Sequence, residues 1–504
     1  MKLLLALFVV TAAAIIGLTP QYSALWGEHG EKWSASGRLP DFSYAGYHCG
    51  EAPIPDVPAA GGVNVRNFGA VGDGDHDDSE AILKAVAAVG RGVVFLPAGR
   101  YKITRIIEIS EPGIVLRGAG PDRTTLWFPI TLTDIKPDWG ATTEGARTSN
   151  YSWEGGFVWL KGNTARRQLA NVTAEAKRGE TIVKVSSAEG LRVGQRVQIE
   201  QSDDEEKSLT SHLYSEDPGD TAKLRGTRAS LVSKIKAIKS GSISLERPLR
   251  FDVKPQWKPR VLSFEPSVSE SGVEHLRFEF PVGEYKGHFT ELGFNPVALS
   301  GTVDCWVRDI RISNAESGPF VTGMFNTVDQ VVYETARKPF RDSRGREFYG
   351  HHGIYLGGDD NLFTGFDFRM TFVHDISVSR CSGNVIAGGR GLDLAFDHHK
   401  ATPYENLYTD IDAGKGSRLW ASGGGQALGR QCGARGTFWN IRAKSPLSAP
   451  PNGWGPTSMN LVALFTTQES DTATGGRWFE AIATDRIVPQ DIHRAQLERR
   501  RAQR

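Results

Sequence analysis

Phe68-Gly69-Ala70-Val71-Gly72-Asp73-Gly74, then Asp77-Asp78, then Val94-Phe95-Leu96-Pro97-Ala98-Gly99-Arg100-Tyr101: the reading of this stretch decides the fold. A strand-like Val63-Asn64-Val65 leads into glycines that supply tight turns. Asp77 or Asp78 can cap an Ala-rich helix running to about Ala88, with Glu80 favourable in its first turn. Ile82, Val86 and Val89 mark the buried stripe of that helix. Gly92-Val93-Val94-Phe95-Leu96-Pro97 then reads as a strand, and Ala98-Gly99-Arg100-Tyr101 as the turn after it. The run lacks the G-x-x-x-x-G-K-[ST] spacing, so it is no phosphate cradle.

Downstream the chain repeats. A polar residue precedes a short apolar strand at His275-Leu276, Asp309-Ile310, Asp329-Gln330-Val331, His352-Gly353-Ile354, Asp375-Ile376, Asn406-Leu407 and Asn440-Ile441. The middle steps are equal, and the later, longer ones call for outward loops. A period in the twenties with apolar inward positions is what a stacked solenoid requires. Between about 164 and 257 the texture changes. Gly190-Leu191-Arg192-Val193-Gly194-Gln195-Arg196-Val197-Gln198-Ile199 and Ser230-Leu231-Val232-Ser233-Lys234-Ile235 alternate polar with apolar residues, the mark of strands with one wet face.

The forty residues of the opening motif resemble the amino-terminal cap of the pectate-lyase-like superfamily. That resemblance implies a right-handed parallel β-helix acting mainly on polysaccharides, with the Asp77-Asp78 pair structural. The expected fold is therefore all-β: a right-handed parallel β-helix with an inserted small β-barrel-like domain. The expected divisions are a signal peptide (1–24), an irregular strap (25–62), the cap and first coils (63–163), the insertion (164–257), the main β-helix (258–485) and a basic tail (486–504).

Lys2 before an apolar run from Leu3 to Ile16 reads as the secretion signal, placing the protein outside the cytoplasm or in the periplasm. Lys plus Arg number 59 against 58 Asp plus Glu, so no global field draws nucleic acid. No later segment is apolar enough to span a bilayer. The four cysteines are far apart and lack metal spacing, and buried free thiols are as good a reading as disulfides. The tail from Asp491 reads as a short, frayed surface helix.

Five of the twelve histidines lie between His351 and His399, in a wall that also carries Asp359, Asp360, Asp393, Asp397 and Lys400. Coils stack at about 4.8 Å, so residues one coil apart become neighbours. His352, His374 and His398 are spaced to form a ladder. Asp393 and Asp397 would share one face of a continuous strand. Two mechanisms use these groups. In β-elimination, a neutral His or Lys removes the proton beside a uronate carboxylate, and Arg390, Lys400 or Ca2+ neutralises that carboxylate. In hydrolysis, two carboxylates work as acid and as base or nucleophile.

Gly350-His351-His352-Gly353-Ile354 and Gly357-Gly358-Asp359-Asp360 resemble the HG and DD motifs of polygalacturonase-type hydrolases. Their order is reversed, and no Arg-Ile-Lys element follows. The surrounding cations favour the lyase. The expected catalytic set is His352, Arg390, Asp393, Asp397, His398 and Lys400. His351, Tyr355, His374, His399 and Trp420 are expected to bind an acidic polysaccharide. Ca2+ is the candidate cofactor. A hydrolase on the same scaffold and a noncatalytic carbohydrate-binding or adhesive β-helix are the alternatives.

Overall fold

A computed structural model describes residues 19–58, 61–142, 144–467 and 476–503. The expected leader falls outside them for its first 18 residues. Gln21–Tyr22 pairs in parallel with Ile487–Val488.

The chain coils into a right-handed parallel β-helix. One wall is a seven-stranded parallel sheet: β1 (Ile107–Ile109), β2 (Val158–Lys161), β3 (Val297–Ser300), β4 (Phe320–Val321), β5 (Gly350–Leu356), β6 (Phe372–Val378) and β7 (Phe396–His398). The remaining walls form one long sheet that folds over a corner in each coil. Strand Gly272–Glu279 shows how: its first half pairs with Ile114–Gly118 and its second half with Thr124–Trp127. At the bend His275 is left-handed, as are Asp309, Gln330, Asp410 and Asn440 in later coils. Short polar side chains tolerate that conformation better than branched ones. The repeating polar residue before an apolar strand is, for these coils, the corner itself.

The core is an inward stack. Val273, Val307, Val328, Phe363, Ile386, Tyr408, Phe438 and Leu461 are successive register partners, and all are buried. Each such side chain contributes about 1.5–3 kcal/mol on burial. Beside the stack runs a ladder of buried amides, Asn326, Asn361, Asn384 and Asn406. Each of the last three accepts from the backbone N–H and side-chain amide of the one before it. The ladder satisfies backbone donors that the corners leave open.

In the cap, α1 (Ser79–Val89) buries Ile82 and Val86. Asp77 Oδ1 accepts from the Ser79 N–H, while Asp78 accepts from Val71 N and Gly72 N and so pins the glycine loop to the helix. Both aspartates are occupied structurally.

Gln168–Asn171, Arg260–Ser263, Arg196–Ser202, Arg228–Lys239, Ser242–Leu245 and Ile182–Lys184 make, in that order, a six-stranded antiparallel sheet. A bridge between Val172 and Val185 joins its first and last strands. The sheet has its own core around Val183, Ile199, Leu231, Ile235 and Trp257, and its second strand lies past residue 257. Arg247 and Arg250 of this region clamp Asp360 of the β-helix.

The carboxy-terminal helix α2 (Ile492–Ala502) is docked, not frayed. Ile492, His493 and Gln496 are buried, and Arg500 reaches Ser43 Oγ, Glu51 and the Cys49 carbonyl on the strap. All four cysteines are free thiols, three of them buried. No helix among the described residues is long and apolar enough to cross a membrane.

Candidate functional site

A cleft of about 510 Å³ opens on the outer face of β5 and β6. Its floor is His351, His352, Tyr355 and His374. Its sides are His288, Phe289 and Trp153 on one hand and His399 with Gly423-Gly424-Gly425 on the other. His352 pairs with His374 and Tyr355 with Ser377 across the two strands. His352 and Tyr355 are three residues apart yet both line the cleft, because strand alternation slips at Gly353–Ile354. A side chain on Gly353 would run into Phe368, and Ile354 is turned into the core.

Behind the cleft sits Asp397, fully buried. Its Oδ1 accepts from Gly423 N at 2.7 Å. Its Oδ2 accepts from Ser377 Oγ at 2.8 Å and from His399 Nδ1 at 2.8 Å, with His374 Nδ1 at 3.4 Å. Burial alone would raise this carboxyl. The imidazoles of His374 and His399 and the bonds from His399 and Gly423 hold it well below the usual carboxylate range. It is therefore an anion at neutral pH.

That charge orders the protons in front of it. The single hydroxyl proton of Ser377 goes to Asp397, so at 2.9 Å the Ser377 oxygen must accept from His352 Nδ1–H. The His352 Nε2 lone pair then faces the cleft. Burial, reinforced by His351, His374 and His399, keeps this ring well below the ordinary histidine range, so it is neutral. His399 is opposite in character. Burial pulls it down, but the charge and hydrogen bond of Asp397 outweigh that and raise it. A neutral ring and a proton-retaining ring thus stand with centroids 6.1 Å apart, the separation of character expected of a base and an acid. Burial pushes the Tyr355 hydroxyl up to about 12, so it stays a proton donor.

His351, Tyr355, His374 and His399 come together around His352, and Lys400 joins at the rim, where its Nζ donates to the Gly425 carbonyl. Four expected residues are placed elsewhere. His398 pairs in register with Val378, not with the His352–His374 row, because the last coil step is shorter than the histidine spacing implies. Its ring is buried against Tyr408, Phe438 and Trp454. Trp420 is a core residue, donating to the Ser448 carbonyl and packed on Trp454. Arg390 lies on the long sheet, 67% exposed and paired with Asp367. Asp393 stands before β7 begins, in a turn where it accepts from the Ser417 N–H and hydroxyl, so strand alternation does not extend to it. Asp359 accepts from Ser382 and Ser230 beneath the inserted sheet.

The groups not anticipated were His288, Phe289, Trp153, Ser377, Glu291 and the Gly423-Gly424-Gly425 segment. Ser377 does lie in the strand register, between Tyr355 and Asp397, but a lone serine carries no signal of its own; the others lie outside the repeat. His288 and Phe289 come from the loop before β3, and Trp153 from the one before β2.

Two consequences are directly measurable. Arg390→Ala should leave turnover within about twofold and the denaturant midpoint unchanged, since an exposed pair is worth little; a large activity loss would return Arg390 to the cleft chemistry. His398 gives a pH signature. Burial pushes it down to about 4, its Nδ1 bonds the Phe396 carbonyl, and its Nε2 has no partner. An unfolded histidine titrates near ~6.5. Between these values the unfolded chain binds the additional proton, so stability is intact above about pH 6.5 and falls as pH drops toward 4. His398→Phe should remove about 3 kcal/mol of that acid loss, read from denaturant midpoints across the window.

For Ca2+ the fit is poor: that ion takes about six to eight oxygen ligands. In the cleft, among the described residues, the groups able to share an ion are His288, His351 and His374, or His374, Asp397 and His399.

A family described as Rhamnogalacturonase A/epimerase, pectate lyase-like, matches residues 62–216. Plasmin and fibronectin-binding protein A of Streptococcus pneumoniae is 31% identical over 113 residues, 20% of this chain and 15% of that protein. Mannuronan C5-epimerase AlgE4 of Azotobacter vinelandii is 39% identical over 72 residues, 12% of this chain and 13% of that one. The match thus spans about a seventh of the length of either relative. Among solved structures, the tailspike protein gp49 of Pseudomonas phage LKA1 aligns over 79% of this chain and 70% of its own, at 12% identity and a TM-score of 0.47.

Proposed function

We propose that this pectate-lyase-like β-helix is a polysaccharide lyase, acting outside the cytoplasm on a uronate-containing chain by β-elimination. The observation that carries the reading is the Asp397–Ser377–His352 chain of hydrogen bonds, which leaves an unprotonated Nε2 facing a cleft beside a proton-retaining His399.

In the proposed reaction His352 Nε2 takes the proton at C5, next to the carboxylate. The C5–H electrons form the C4=C5 double bond as the C4–O bond breaks, and the departing glycosidic oxygen takes a proton from His399. Tyr355 donates a hydrogen bond within the same cleft, and Trp153 offers an aromatic face for a sugar ring. Hydrolysis is less well served. It needs two carboxyl groups about 5–9.5 Å apart across the scissile bond. Among the described residues lining the cleft only Glu144 carries one, and Asp397 is sealed behind the histidines. Asp360 is held by two arginines in a different place.

C5 epimerisation is the second reading. It begins with the same proton removal, and epimerases are among the relatives matched.

The test is incubation with uronate-containing and neutral polysaccharides, following ultraviolet absorbance and reducing ends in the same wells. Both rising together is the expected result. Deuterium exchange at C5 from heavy water without chain cleavage would make it an epimerase. Reducing ends without absorbance would make it a hydrolase. Glycan binding with none of these would leave a noncatalytic carbohydrate-binding protein.

A further inference from the structure

The cleft holds acid and base, yet of the side chains expected to neutralise a substrate carboxylate, Arg390 lies on another sheet and Lys400 Nζ donates to the Gly425 carbonyl at the rim. Three imidazoles in the same cleft are arranged in a way that acid–base chemistry does not require. One nitrogen each of His288, His351 and His374 lies within 4.8 Å of the other two. His288 Nε2 and His351 Nε2 are 2.7 Å apart.

The far sides of the two buried rings are backed by carboxylates. His351 Nδ1 faces Glu291 Oε2 at 3.5 Å, and His374 Nδ1 faces Asp397 Oδ2 at 3.4 Å. Glu291 is itself buried and oriented by the Tyr285 hydroxyl at 2.6 Å. Neither contact is a hydrogen bond, and His351 Nδ1 and Glu291 Oε2 both lack a hydrogen-bond partner; the two carboxyl groups stand where outer partners orient metal-bound histidines. His374 Nε2 is buried and has no hydrogen-bond partner. It is an unused donor atom on one of the three rings. His288, on the loop before β3, is exposed and supplies the approach from solvent.

We infer that His288, His351 and His374 form a binding site for a divalent first-row transition ion, zinc foremost, with Glu291 and Asp397 as its outer carboxylates. Three imidazoles are a nitrogen set that suits zinc, copper, nickel or cobalt and leaves a coordination position open. His352 stands next to the site, its ring 4.0 Å from that of His351 and 5.1 Å from that of His374 between centroids. On the lyase reading, which this role rests on, the bound ion takes the uronate carboxylate while His352 faces the adjacent carbon. The ion then supplies the positive charge that Arg390 does not.

The test uses the full-length protein stripped by chelator dialysis and titrated with Co2+, then Zn2+, without substrate. One equivalent of Co2+ with the visible absorption of a low-coordinate site, displaced by Zn2+, is the expected result. His288→Ala, at an exposed loop position that does not burden the fold, should weaken binding by well over 100-fold. Glu291→Gln, acting through His351, should weaken it about 10–100-fold. No visible band, or a His288→Ala protein that binds as tightly as the parent, overturns the site and leaves a hydrogen-bonded imidazole pair. The two proposals separate cleanly. Metal binding with no activity on any polysaccharide upholds the site and sinks the lyase reading, whereas full lyase activity in metal-free protein that takes up no Co2+ does the reverse.

Discussion

His352→Ala is expected to lower kcat by about 10²–10⁴-fold with a much smaller change in KM. The side chain removed is the neutral base: its Nδ1 is committed to Ser377 and its Nε2 faces the cleft. Substrate contacts along the rest of the cleft remain, so binding should persist while proton removal fails. His352 is only 3% exposed, and its loss leaves a hole beside the stacked His374 ring. His352→Gln, which fills part of that space and offers an acceptor but cannot take a proton at neutral pH, is the companion variant. Both should keep the parent's circular dichroism and lose turnover. Added imidazole should recover part of the His352→Ala loss, because the missing group is an imidazole acting as proton acceptor. A folded His352→Ala protein with near-parental kcat would remove this residue from the mechanism.

The second large effect belongs to Asp397→Asn, a change of nearly equal volume. Both carboxylate oxygens are acceptors: one for Gly423 N–H, the other for Ser377 and His399, with the His374 ring 3.4 Å away. An amide must point its NH2 group at one of these sets of donors, and the site is too buried for water to intervene. Loss of the buried anion also strands His399, whose raised proton affinity depends on it. A destabilisation of about 3 kcal/mol is expected, with activity down at least ~100-fold. Denaturant unfolding reads the first quantity, and turnover measured well below the transition reads the second. Stability unchanged within about 0.5 kcal/mol would mean that Asp397 does not organise the site. In that case the proton order assigned to His352 would fall with it.

These two residues show how much of the site was legible in the chain. His351, His352, Tyr355, His374, Asp397 and His399 could be selected because titratable side chains crowded one stretch with a solenoid stride, and coil stacking makes such residues neighbours. Their roles could not. Asp393 and Asp397 were equal candidates for orientation or metal binding; burial and three hydrogen bonds make Asp397 the one behind the cleft histidines. His398 and His399 are adjacent in sequence and indistinguishable by composition. One pairs with Val378 and enters an aromatic core, and the other clears the end of β7 and reaches the cleft. A step in coil length of a residue or two decides which imidazole is chemistry and which is packing.

What the sequence determined by itself was what depends on neighbours along the chain. The cap was readable because glycine turns, Asx capping and the stripe of α1 are interactions over a few residues. The β-helix was readable because inward apolar positions recur with each coil. The tertiary structure alone decided how coils are divided between walls. Asp329 lies on the long sheet, while His352 and Asp375 lie on the cleft sheet, so the equal steps between them do not measure one register. It also brought His288 and Trp153 to the cleft, and Glu291 behind it, from loops with no periodic signature. Parallel stacking pairs residues through loops of any length, and a loop's length does not say where its side chains come to rest.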